Sequence, residues 1–404
     1  MRVLLVTTGS RGDVEPFAAL GFELARAGHE PLLAAPRRLT EDAAARGLPV
    51  APLDDGIFAL QEEVAGKGTR ASLTAARSAL PLLRRWLDDL ATLRDRDADV
   101  VVYAPKSLGA THLADLLGVP SIAALPVPLF TPTARFPSPL SPVRPPRFLN
   151  RASWRLAGVV EAPYRRMVRT WRSEVLGLAG PMPGLTERVA RDGVLHAWSP
   201  HLLPAPDDWS ADLAPTGFWS LPPDRAWTPP AALDRFLDAG EPPVYVGFGS
   251  MLAKDPEAFT RAVLDGLHRS GRRAILATGW GALRPTHVPD SVHVLDQAPH
   301  ALLLPRTAVA VHHGGVGTVA AALRAGVPQV VKPFLGDQPF WARRVHEIGV
   351  AAPPLTGGLT GDRLAAAIDD AASRADAARA TAARVGEEDG ASAAVARIER
   401  VAAG

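Results

Sequence analysis

The sequence predicts an α/β chain of two doubly wound halves that face each other across a cleft. Short apolar, β-prone runs alternate with stretches of helical periodicity over most of its length. That alternation predicts parallel sheets covered on both faces. A stretch dense in Pro, Trp and Asp interrupts the series at 204–230, and strands and helices restart beyond it. A length of 404 residues is enough for two domains with a core each.

The run 3–6 reads as a buried first strand, followed by a loop over 8–15. A helix then carries Phe17, Leu20, Gly21 and Leu24 and is stopped by Gly28. A strand at 31–35, a helix at 40–46 and a strand at 50–53 continue the alternation. The segment 66–96 is helical in pattern, with Leu80, Leu83, Trp86, Leu87 and Leu90 on one face. A strand at 100–103 and a helix at 108–117, ended by Gly118, complete this series. Over 124–148 proline is too dense for a helix, which leaves a surface linker or a ligand-binding loop. An apolar stripe follows in 151–176 (Trp154, Leu156, Val160, Tyr164, Met167, Trp171). It fits a core or one wall of an apolar cleft. The run 194–199 reads as the last strand of the first half.

These readings make 1–203 the first domain, 204–232 a linker and 233–404 the second domain. The second half restarts with a strand at 243–249 that enters the loop GFGS. Asp255 and Pro256 then open a helix ending near Gly271. Strands at 273–278, 291–295, 308–312 and 329–332 alternate with helices, and the Ala- and Arg-rich tail 362–403 reads as helix.

Hydrophobic residues make up 47% and charged residues 21%, as in ordinary globular proteins. A net charge of +2 gives no support for a nucleic-acid partner. Without cysteine there are no disulfides, thiol catalysis or thiolate metal sites. The apolar run in MRVLLVTTGSRGDVE is too short for a signal peptide, and no run of about 18 apolar residues could span a membrane. A cytoplasmic enzyme is the simplest expectation.

The most informative stretch is 312–338, HHGGVGTVAAALRAGVPQVVKPFLGDQ. It passes from a β-prone run through Gly314, Gly315 and Gly317 into a helix stopped by Gly326. A helix start offers unpaired N–H groups and a positive dipole end, and glycines let a phosphate approach them. His313 and Thr318 add donors, while His312 reads as a core histidine at the strand end. Asp337 and Gln338 follow the next strand, at the sheet edge where ligands of open α/β folds sit. An acid and an amide side by side can hold several sugar hydroxyls. Asp337 could equally cap the helix that follows.

HHGGVGT, RAGVPQVVKPF and GDQPFW together resemble the donor-binding signature of family 1 glycosyltransferases of GT-B fold. The likeness is to the bacterial branch near sterol glucosyltransferases and antibiotic (glycopeptide and macrolide) glycosyltransferases. The resemblance implies two Rossmann-like domains across a cleft: an N-terminal acceptor domain and a C-terminal nucleotide-sugar domain whose last helix returns to the first. In the plant-type branch a Gly-His-x-x-Pro pattern places a catalytic His after the first strand. This chain has Gly12, Asp13, Val14, Glu15 and Pro16, and the antibiotic branch similarly has Asp there. Asp13 is therefore the base expected to take the acceptor's proton, with a helix N-cap as its structural alternative. Ser10, Arg11 and Ser250 join the 313–318 loop as diphosphate contacts. Asp337 and Gln338 match the hexose-binding end of the motif. The resemblance lays the nucleobase near Ala298, His300 and Trp280. The stretch ALPVPLFTPTARFPSP resembles a loop bordering the acceptor cleft, with Phe130, Phe136 and Trp154 as acceptor contacts.

The predicted chemistry is inverting O-glycosyl transfer from a UDP- or dTDP-hexose to an apolar acceptor. No DxD or other compact acidic motif stands where the diphosphate should lie, so metal-independent chemistry without a cofactor is predicted. A GT-B sugar-nucleotide epimerase and a noncatalytic nucleotide-binding partner of another transferase are the alternatives. A nicotinamide dehydrogenase fails because GSRGDVE lacks the GxGxxG fingerprint.

Overall fold

The computed structural model describes all residues except 57–67, 142–143, 156–157, 159–161, 223–226, 250, 280–281 and 404, with backbone only at 68–78. The chain divides into two compact units. The first holds most of the chain up to Leu221 together with Asp389–Gly404, and the second holds Pro222–Glu388.

The first unit is built on six parallel strands: β1 (Arg2–Val6), β2 (Glu30–Pro36), β3 (Val50–Leu53), β4 (Val100–Tyr103), β5 (Ser121–Leu125) and β6 (Val194–His196). Their order is β3-β2-β1-β4-β5-β6. Residues alternate between the two faces. Leu4, Val6, Val101 and Tyr103 enter one core, while Val3, Leu5, Val100 and Val102 enter the other. Full burial of one such side chain is worth roughly 1.5–3 kcal/mol. Helices α1 (Arg11–Arg26), α2 (Arg37–Ala45), α3 (Gly68–Ala91), α4 (Ala110–Leu117), α5 (Asn150–Ser153), α6 (Arg165–Glu174) and α7 (Leu185–Asp192) fill the connections.

The second unit opens with α8 (Ala231–Asp238). Its sheet has five parallel strands: β7 (Val244–Gly247), β8 (Ala274–Ala277), β9 (Val292–Leu295), β10 (Val309–His312) and β11 (Gln329–Val331), in the order β11-β10-β7-β8-β9. Helices α9 (Pro256–Ser270), α10 (His300–Leu303), α11 (Val316–Ala325), α12 (Gln338–Glu347), α13 (Gly361–Ala372) and α14 (Ala375–Gly386) cover it. The last helix, α15 (Gly390–Ala402), belongs to the first unit.

Asp255 caps α9 as the sequence suggests, accepting from the Ala258 N–H at 2.9 Å, and Gly271 ends it in the left-handed conformation. Three expectations change. Helix α1 starts at Arg11 rather than after Glu15, because Ser10 is its N-cap and Pro16 is accommodated inside it. Strand β5 was not expected: five buried residues between prolines carry no two-residue alternation. The tail is three helices instead of one, broken near Ser373 and restarted at Asp389, whose side chain accepts from the Ser392 N–H. Of the stretch 204–232, residues up to Leu221 fold with the first unit, where Phe218 and Trp219 are buried.

Helix α15 packs on α1. Ala394, Val395 and Ile398 enter the core that holds Leu20 and Leu24, and His29 meets Glu399 at 3.0 Å. Arg397 donates to the carbonyls of Asp212 and Ala214.

Candidate active site

In each sheet the strand order reverses at one place, between β1 and β4 in the first unit and between β7 and β10 in the second. The carboxyl ends of strands at such a reversal are where open α/β sheets bind ligands, because the loops there diverge to opposite faces. Of the residues singled out by the sequence, Ser10, Arg11 and Asp13 follow β1, and His313, Gly314, Gly315, Gly317 and Thr318 follow β10.

In the first unit Asp13 occupies the third position of α1. Its Oδ2 accepts from the Ser10 N–H at 2.8 Å and from the Ser10 hydroxyl at 2.9 Å. Its Oδ1 forms an ion pair with Lys106, which stands just beyond β4. Asp13 therefore serves the helix start from within the first turn rather than as its N-cap. The loop depends on Gly9, whose φ of +118° few other residues adopt and whose missing Cβ leaves room for the pair. The Ser10 hydroxyl is directed to Asp13, and the exposed Arg11 pairs with Glu15 one turn along. Lys106 was not anticipated. Its one sequence signal is its place just after an apolar strand.

In the second unit the loop after β10 is shaped by His312, which is fully buried. The Gly314 N–H donates to His312 Nδ1 at 3.0 Å, so the ring proton sits on Nε2 and is donated to Gln329 Oε1 at 2.9 Å. Burial holds His312 well below its ordinary pKa, at about 3. Gly314 has φ +90°, and a Cβ there would stand 2.7 Å from Val331 Cγ1. The chain then enters α11 with Gly315 as N-cap, Gly317 exposed and Thr318 buried. The half-buried His313 ring lies over Gly249 and Gly315, where side chains would collide with it. Burial first, then the charge of His300, lowers its pKa to about 4. Its Nδ1 is buried without a hydrogen-bond partner among the described residues. This is a neutral imidazole beside a helix start, able to offer an N–H to an anion.

Half-buried Asp337 stands at the N-cap position of α12. Gln338 is buried. Its Oε1 accepts from the N–H groups of Phe334 and Leu335, and its Nε2 donates to Met251 Sδ at 3.2 Å, so it braces the loop from inside. Lys332, at the same edge, has its pKa lowered by burial and then by the charge of Arg363. Ala298 packs at the margin of the core, and His300 Nε2 lies 2.9 Å from the Tyr245 hydroxyl. Ser250 and Trp280 lie outside the described residues, as do Leu156 and Val160.

The proline-rich connection after β5 is pinned. Thr131 meets His196 at 2.9 Å, Asp208 accepts from the Thr133 hydroxyl at 2.6 Å and the Ala134 N–H at 2.8 Å, and Arg135 pairs with Asp207. Phe130 and Trp154 are buried at 8% and 3% exposure, so both act here as core; only Phe136 of the three expected acceptor contacts presents surface. Phe136 packs against the Trp154 and Trp209 rings, and its carbonyl accepts from Trp154 Nε1.

Residues 3–133 match the glycosyltransferase family 28 N-terminal domain, and 274–400 match the erythromycin biosynthesis protein CIII-like C-terminal domain. The chain is 35% identical over 374 residues to the sterol 3-beta-glucosyltransferase UGT80A2 of Arabidopsis thaliana, covering 88% of this chain and 58% of that protein. It is 32% identical over 368 residues to the sterol 3-beta-glucosyltransferase of Leptosphaeria maculans, covering 87% and 25% respectively. The chain thus spans little more than half of the first of these relatives and a quarter of the second. Among solved structures, the glycotransferase of kitacinnamycin aligns with a TM-score of 0.67 at 25% identity, over 99% of this chain and 98% of that one. Two parallel-sheet α/β domains, the first matched by the glycosyltransferase family 28 N-terminal domain and the second by the erythromycin biosynthesis protein CIII-like C-terminal domain, give the chain the GT-B fold of glycosyltransferases.

Proposed function

We propose that the protein transfers a hexose from a UDP- or dTDP-sugar to a hydroxyl of an apolar small molecule, sterol-like or of polyketide or macrolide type. The reaction is an inverting, metal-independent displacement. The observation that carries this reading is that chemistry-bearing side chains occupy both sheet reversals. A carboxylate oriented by Ser10 and Lys106 stands at one, and a neutral histidine over a glycine-rich helix start at the other.

In the proposed step the acceptor oxygen forms a bond to the anomeric carbon as the bond from that carbon to the diphosphate oxygen breaks. Asp13 takes the hydroxyl proton, and the electron pair leaves with the nucleotide diphosphate. The N–H groups at the start of α11, together with His313, receive the developing phosphate charge. A single helix start is worth about 0.3–1 kcal/mol to an anion and roughly 2 when partly buried, so convergent donors are required. Asp337 orients the hexose, and Gln338 keeps the 334–338 loop in place. The nucleobase lies along 298–302. The likeness to sterol 3-beta-glucosyltransferases supports an acceptor with one hydroxyl on an apolar skeleton.

The test is calorimetric titration with UDP and dTDP, repeated on Gly315→Trp, followed by turnover assays with a sterol and a macrolide. Nucleotide binding lost in the variant, with product formed by the wild type, supports the reading. Binding without transfer to any acceptor points to the noncatalytic alternative, and conversion of the sugar nucleotide itself points to an epimerase.

A further inference from the structure

Between Asp115 and Glu161 the sequence contains no acidic residue and five arginines. One of them, Arg135, is paired with Asp207. The other four, Arg144, Arg147, Arg151 and Arg155, are exposed, and along the sequence they begin or flank a 3-10 turn, Arg147–Leu149. Arg151 lies 3.8 Å from Asp208, with its side chain still 70% exposed. Arg144, Arg147 and Arg155 have no ion pair among the described residues. At the centre of the turn Phe148 is 83% exposed and Leu149 42%; no other large apolar side chain among the described residues is as exposed as Phe148.

This display is held in place. Buried Asn150 donates to the Ala134 carbonyl at 2.9 Å, Ser153 Oγ accepts from the Ser138 N–H at 2.8 Å, and Trp154 donates to the Phe136 carbonyl. The turn is thus fastened to the pinned proline-rich connection, with Pro145 and Pro146 stiffening its approach. An aromatic ring held out in water on a stretch that carries four exposed arginines, three of them without an ion pair among the described residues, matches the headgroup layer of an anionic bilayer. There the ring enters the acyl boundary and the arginines meet phosphates. A protein partner would ordinarily need about 800 Å² of complementary surface per side, more than one turn offers. Among the described residues no helix is long and apolar enough to cross a membrane, so contact through this turn would be peripheral.

We propose that the Arg147–Leu149 turn is a membrane-docking site for anionic lipid surfaces. Docking does not depend on the transferase reading. If that reading holds, the acceptor-side connection is brought against the phase in which an apolar acceptor dissolves.

The experiment is co-sedimentation of the full chain with vesicles of phosphatidylcholine alone or mixed with phosphatidylglycerol, for wild type, Phe148→Ser and Arg147→Glu. The expected result is binding to the mixed vesicles only, weakened by salt and reduced roughly ten-fold or more in each variant. Thermal melting and nucleotide titration of both variants should match wild type, which separates loss of docking from loss of fold. Absence of binding, equal binding to neutral vesicles, or variants that bind like wild type overturns the proposal. So does heparin binding that competes fully yet ignores Phe148→Ser, since that marks a general polyanion surface. Absence of turnover with every acceptor would defeat the transferase reading and leave the vesicle result standing.

Discussion

Asp13 turns its two carboxylate oxygens to different neighbours, Oδ2 to Ser10 and Oδ1 to Lys106. One oxygen secures the helix start while the other is fixed in direction by a cation on the adjacent loop. Asp13→Asn keeps an acceptor for the Ser10 N–H but removes the base. Turnover should fall by about 10²–10⁴ with nucleotide affinity retained; calorimetry showing lost nucleotide binding instead would assign Asp13 a purely structural part. Lys106 is a positioning residue in this scheme. Lys106→Met should lower kcat by about ten-fold with little change in KM for the nucleotide sugar, and Lys106→Arg should restore most of it. Equal loss in both variants would mean that shape rather than charge is what the site needs. Its place just after an apolar strand did not single Lys106 out, because its significance arises only when β4 pairs with β1, and APKS carries no local signal of that pairing.

At the scale of elements, the strand, loop and helix signals were legible wherever they were local. The HHGGVGT loop, the Asp255 cap and the Gly271 stop are each set by a few neighbouring residues. Strand β5 and the start of α1 were misread because prolines nearby suggested breaks that the fold absorbs. The proline-rich connection could be read only as linker or ligand loop, since its anchors, His196, Asp207 and Asp208, lie far along the chain. Those anchors give a test of its role. Asp208→Ala leaves the buried Thr133 hydroxyl proton without its acceptor, at a cost of roughly 1–3 kcal/mol. If the connection walls the acceptor site, steady-state kinetics should show acceptor KM rising several-fold while KM for the nucleotide sugar stays put. The reverse pattern would remove the connection from the acceptor site.

For the whole molecule, each unit contains a histidine that burial keeps neutral: His196, at about 3, in the first, and His312, also at about 3, in the second. An unfolded histidine titrates near 6.5, so below that pH the unfolded chain binds protons that the native one refuses. The associated stability is intact above about pH 6.5 and is lost as pH falls toward the folded values, by up to about 1.4 kcal/mol per pH unit for each group. Urea midpoints should therefore decline steadily between about pH 6.5 and pH 5, and a flat profile over that window would show that these rings do not titrate as placed. Helix α15 carries a consequence for biosynthesis. The residues that complete the first unit's core, Ala394, Val395 and Ile398, leave the ribosome after the entire second unit. At roughly 5–20 residues per second, the stretch from Arg26 to Ala394 takes on the order of twenty to seventy-five seconds, and the face of α1 waits that long for its lid. Maturation of the first unit is thereby tied to synthesis of the whole second unit, and a nascent chain halted before Asp389 would present that uncovered apolar face to chaperones.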